Sequence, residues 1–106
     1  MSMSTFAAEI NLESVRYKYF FSWLLESLVQ FYRQNKGRGA LYVTEAGVLH
    51  YFGMQNQYDC PSAGLVQTML QDLCAQGILI RQGDSYEVNW EILMKLHPQL
   101  FECENC

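Results

Sequence analysis

Residues 73–89, "LCAQGILIRQGDSYEVN", carry the clearest signal of the architecture. Gly77 breaks a helical pattern, and two alternating runs, "ILIRQ" and "SYEVN", then flank Gly83-Asp84. A two-residue loop with glycine first suits a type II′ turn, so the runs are expected to form a tight hairpin. Alternation places Ile78, Ile80, Tyr86 and Val88 on its inward face, with Arg81 pointing away from them. Asn89 is the expected cap of a last helix, "WEILMKL", which Pro98 limits. The tail "QLFECENC" is expected to add a turn.

Working upstream, "CPSAGLVQTMLQDLCAQG", residues 60–77, reads as a helix capped by Asp59 or Ser62. Leu65, Val66, Met69, Leu70 and Leu73 share one arc and are expected in the core. Gly64, Gln67, Thr68, Gln71 and Ala75 are left outward, with Ser62 and Ala63 at the leading edge. Before this lies a short extended "ALYV", after which Thr44 caps "EAGVLHYF", a helix of about two turns with Gly53 as its C′ residue. The chain opens with a long helix over about residues 12–34, capped by Asn11 and closed by "NKGRG". Its core arc is Tyr17, Phe20, Phe21, Leu24, Leu28, Phe31 and Tyr32, flanked by Leu25 and Val29. Tyr19 and Trp23 fall on the opposite side among polar residues and form a second aromatic ridge.

The predicted order is helix, strand, helix, helix, hairpin, helix. This is an α+β, mostly α, arrangement in a single domain spanning residues 1–106. The short strand, the helices in "TEAGVLHYFG" and "SAGLVQTMLQDLCAQG", and the run into the hairpin resemble the winged-helix variant of the helix-turn-helix fold. The resemblance covers about residues 37–89. The long first helix and a last helix over about residues 90–101 are extensions.

That resemblance implies a function. In DNA-reading winged helices the third helix enters the major groove, where Gln pairs with adenine edges and Ser or Thr reaches bases or phosphate. Ser62, Gln67, Thr68 and Gln71 are the candidate readers. They carry no charge, so phosphate contacts would have to come from Lys36, Arg38 and Arg81. The total is unfavourable to a strong electrostatic grip: Lys plus Arg number 7 against 11 Asp plus Glu, a net charge of −4. Asp84 at the tip of a short wing also has the wrong sign for a minor-groove contact.

Two readings follow. The first is a small dimeric transcriptional regulator that binds double-stranded DNA as a homodimer. Its first and last helices would meet through Tyr19, Trp23, Trp90, Leu100 and Phe101. The alternative is a winged-helix protein–protein interaction module, or adaptor subunit, that does not bind DNA by itself. It would use the Tyr19/Trp23 ridge and the small residues Ala63, Gly64, Thr68 and Ala75.

The cysteines bear on metal and redox chemistry. Cys60 and Cys74 stand at the two ends of one predicted helix, roughly 20 Å apart, which prevents a site shared by all four thiols. Cys103 and Cys106 have C-x-x-C spacing and remain a metal or redox candidate, as a local disulfide, as a site with a third ligand such as His97, or as free thiols. No cofactor is expected. No phosphate loop, nucleophile elbow, zinc-protease motif or carboxylate pair is present, so catalysis is not expected either. The sequence shows no basic leader and no long uncharged apolar run, from which an intracellular, cytoplasmic protein without membrane contact is expected.

Overall fold

The computed structural model describes residues 2–55 and 59–102, with side chains from Val15 onward. It is an α+β arrangement, mostly helical: α1 (Ser2–Gln34), β1 (Tyr42–Val43), α2 (Glu45–Gln55), α3 (Ala63–Ala75), β2 (Leu79–Gln82), β3 (Ser85–Val88) and α4 (Trp90–Leu96), then a 3-10 turn at Pro98–Leu100. The three strands form one antiparallel sheet in the order β1-β3-β2. The long dimension of 53 Å reflects α1. At 1.5 Å per residue that helix alone spans about 50 Å.

Local chemistry sets the helix ends. The Ser62 hydroxyl accepts from the Leu65 amide, the Thr44 hydroxyl from the Gly47 amide and the Asn89 side chain from the Ile92 amide. Each satisfies an amide that a first helical turn leaves without a partner. At the far end of α3, Gly77 has φ +83°. Its amide donates to the Cys74 carbonyl, and the Ile78 amide reaches back to the Leu73 carbonyl. This is a Schellman closure, completed by apolar contact around Leu73 and Ile78, both fully buried. Gly83, at φ +66°, turns the hairpin and Asp84 keeps a negative φ, the sign pattern of a type II′ turn.

Four expectations change here. Helix α1 starts at Ser2, so Asn11 lies inside it and is not at its N-cap position; the segment before it contains no Gly or Pro to break the helix. Helix α2 runs through Gly53 to Gln55, so Gly53 is not its C′ residue. The hairpin pairs as its two-residue Gly83-Asp84 loop requires, but the inward face of β2 is not the expected one. Leu79 faces Val88 and Arg81 faces Tyr86, while Ile80 pairs with Glu87 on the other face and is 44% exposed. The loop length fixes this register, since Gln82 opposite Ser85 sets Leu79, not Ile80, opposite Val88, while Ile78 is buried in the closure of α3. Arg81 therefore shares its face with buried Leu79, at the turn end of the hairpin.

The fourth correction concerns α1. Its fully covered residues are Phe20, Leu24, Leu25, Leu28 and Val29, so Leu25 and Val29 belong to the core and not to its flank. Trp23 lines the outer face beside Tyr19, yet it is half-buried. Its ring lies edge-on to Phe52 at 5.1 Å between centroids and near Tyr51 at 6.4 Å, bridging α1 to α2. The core joins these residues to Val48, Phe52, Val66, Met69, Leu70, Leu73, Ile78, Leu79, Val88 and Leu93. The expected arc of α3 is the one buried, with Leu65 partly covered.

Candidate functional site

The outward face of α3 is open. Gly64, Gln67, Thr68, Gln71 and Ala75 are all exposed, because the apolar residues at i, i+3 and i+4 commit the opposite arc to the core. The polar side chains on this face are largely engaged within the chain. Ser62 holds its cap, and the Thr68 hydroxyl donates to the Gly64 carbonyl at 3.0 Å. The Gln67 amide nitrogen donates to a carboxylate oxygen of Glu45 at 3.0 Å. Of the four expected readers, Gln71 alone has no hydrogen bond within the described residues.

Glu45 was not among the expected site residues. The sequence marks it as an acid in the first turn of α2, a favourable position against the helix dipole. That it also stands beside Gln67 depends on how α2 and α3 pack. The carboxylate brings negative charge to the outward face, and neither α2 nor α3 carries a Lys or Arg.

The cations are dispersed. Arg16 pairs with Asp59 at 2.8 Å and lies over the Phe20 ring, 5.2 Å from its centroid. Arg33 donates to the carbonyls of Leu100 and Glu102, fastening the C-terminal segment to the end of α1. Arg81 folds onto its own turn, its Nε donating to the Gly83 carbonyl at 3.2 Å. Lys36 and Arg38 are exposed in the turn after α1, where Lys36 adopts φ +55°. That turn leads into β1 at one edge of the sheet, and Arg81 lies on β2 at the other edge, about 10 Å away by two strand spacings.

The candidate interface residues fall into two groups. Tyr19 is 55% exposed and contacts Trp23 at 5.7 Å between centroids. Trp90 and Phe101 instead pack on the other end of α1, Trp90 at 5.0 Å from Tyr32 and 6.4 Å from Phe31, and Phe101 at 5.3 Å from Tyr32. Leu100 is partly buried against the same core. Roughly 13 Å of helix separates the groups, from the rise between Trp23 and Tyr32.

Two further polar links tie α1 to the third helix and the segment before it. One is the Arg16–Asp59 pair. In the other, the Tyr17 hydroxyl donates to Asp72. Burial, the Asp72 acceptor and its charge together push the Tyr17 phenol well above its ordinary range. Burial likewise pushes the Cys74 thiol up, opposed by the nearby Arg81 charge. Cys60 sits at the other end of α3, its Sγ directed at the Phe52 carbonyl. Cys103 and Cys106 lie outside the described residues. No helix among the described residues is long and apolar enough to cross a membrane. No protein-family model, curated protein or solved structure matches the chain.

Proposed function

We propose that the chain is a winged-helix module, intracellular and without catalytic activity, that works by protein–protein recognition and does not grip DNA on its own. The β2–β3 hairpin is the wing in this reading, and α2 and α3 are the helix-turn-helix pair. The observation that carries it is the Glu45–Gln67 hydrogen bond. It occupies a would-be base reader with an acid, on a surface where a DNA-reading helix needs donors and positive charge. The small residues Ala63, Gly64 and Ala75 beside it let a partner's backbone approach closely, and the uncharged rim of Thr68 and Gln71 suits a polar protein surface.

Fluorescence anisotropy of a labelled mixed-sequence duplex, at about 50 mM salt and up to about 10 µM protein, tests this reading, because low salt maximises phosphate binding. No change in anisotropy is expected. Binding that weakens steeply with added salt would overturn it.

One observation favours the second reading, a dimeric DNA-binding transcriptional regulator. The row Ser62, Gln67, Thr68 and Gln71 is exposed along α3, and Lys36 and Arg38 are exposed without an ion pair among the described residues. In that reading DNA draws Gln67 away from Glu45, and the same titration reports a salt slope of about −1 for each phosphate neutralised.

A further inference from the structure

The outer face of α1 is shaped for a second copy of this chain, and we propose that two copies pair there, antiparallel, about a two-fold axis passing at Ser22. A shallow groove on this face is lined by Val15, Lys18, Tyr19, Ser22, Trp23 and Glu26. Val15 is 61% and Tyr19 55% exposed, so the groove offers large apolar surface to water. Lys18 and Glu26 are exposed, and neither has an ion pair among the described residues, where the salt bridge is Arg16–Asp59. They cannot satisfy each other, being about 12 Å apart along the helix.

The spacing of those charges selects the occupant and its direction. Lys18, Ser22 and Glu26 recur at intervals of four, so the two charges stand equally far from Ser22, about 6 Å to either side. A two-fold axis at Ser22 sets Lys18 of one copy at the level of Glu26 of the other. One axis makes both pairs, as an isologous interface requires. A parallel pairing in register sets Lys18 against Lys18 and Glu26 against Glu26, which is repulsive. Ser22 at the crossing point is small enough to let the helices approach to the 8–10 Å typical of packed pairs. Val15 and Tyr19, with the outer edge of Trp23, then flank the crossing and lose their contact with water. Because α1 ends at Gln34, a two-fold at Ser22 gives each helix a partner for about 8 Å beyond Val15. The pairing involves none of α3 and is independent of the function proposed for that helix.

Sedimentation velocity on the full chain, from about 1 to 200 µM, tests the pairing, the upper end being where a small helix–helix interface is populated. A concentration-dependent monomer–dimer equilibrium is expected. Lys18→Glu and Glu26→Lys, each of which opposes like charges across the axis, are each expected to weaken the dimer about tenfold. The Lys18→Glu/Glu26→Lys double variant is expected to return to within about threefold of the starting chain, because the swap restores both pairs. Circular dichroism melts, expected to be unchanged in all three, separate lost pairing from lost folding. A monomer at the highest concentration, or a double variant no better than the singles, would overturn the proposal. Dimerisation insensitive to all three changes would equally exclude this face, leaving it to a different partner.

Discussion

Glu45 and Gln67, 22 positions apart in the chain, share a hydrogen bond of 3.0 Å on the exposed side of the α2–α3 pair. An exposed bond of this kind contributes little to folding, about 0.5 kcal/mol or less. Its consequence is for recognition, since it fixes an acid beside a side chain otherwise free to donate outward. Glu45→Gln keeps the contact and removes the charge. Its melting temperature is expected to fall by no more than about 4 °C, the loss of a first-turn acid against the α2 dipole adding up to about 1 kcal/mol. Its anisotropy with duplex DNA is expected to remain flat, because no cation on α2 or α3 replaces the lost acid. Duplex binding gained by this one change would show that a single carboxylate was suppressing a DNA-reading face.

Tyr17 predicts an alkaline limb in the stability curve. The phenol is raised in the folded protein by burial and by Asp72. The folded state therefore holds its proton where the unfolded chain, near pH 10, has begun to release it. Stability is full below that pH and falls as pH rises above it, because the unfolded state then binds fewer protons. Urea unfolding at stepped pH between about 8 and 11 measures this decline. Tyr17→Phe is expected to make the decline shallower. Asp72→Asn, which removes the charged acceptor and leaves the burial, is expected to fall between the two.

Gly77→Ala isolates backbone strain. Its added Cβ would meet Ile92 Cγ2 at 3.7 Å, an ordinary contact, so crowding is not the issue. The φ of +83° is the obstacle, at about 1–2 kcal/mol for a residue with a Cβ. A lower chemical-denaturation midpoint that, at an unchanged slope, corresponds to that loss of stability is the expected result. No loss of stability would show that the α3–β2 junction relaxes to another closure.

Trp23 and Tyr19 separate folding from surface contact. Trp23 packs on Phe52 and Phe20 as well as on Tyr19, so Trp23→Ala is expected to destabilise the fold by about 2–4 kcal/mol. Tyr19→Ser, at a side chain more than half exposed, is expected to stay below about 1 kcal/mol. Thermal melts of the two variants side by side give the comparison. Equal losses would mean that Tyr19 is buried in the protein as it exists in solution.

The elements are legible in the residues alone wherever one residue's conformational need sets the outcome. Ser62, Thr44 and Asn89 cap because a first helical turn leaves amides without partners. Gly77 and Gly83 close α3 and turn the hairpin because a positive φ excludes most other residues. The arc of α3 was equally legible, since five apolar residues at helical spacing permit one buried face.

Whatever depends on two elements meeting is fixed only by packing. Ile78 and Leu79 are both buried, because Ile78 closes α3 while Leu79 faces the core from β2, where the alternation of a strand alone would turn one of two neighbours outward. Trp23 is drawn towards the core because α2 brings Phe52 and Tyr51 to it, although a helical wheel places it among polar neighbours. The electrostatics of the α3 face were also hidden. Its own residues are neutral, and the charge there comes from Glu45 on the preceding helix. Helical periodicity fixes which way a side chain points, but the neighbour it meets is set by packing, and recognition depends on both.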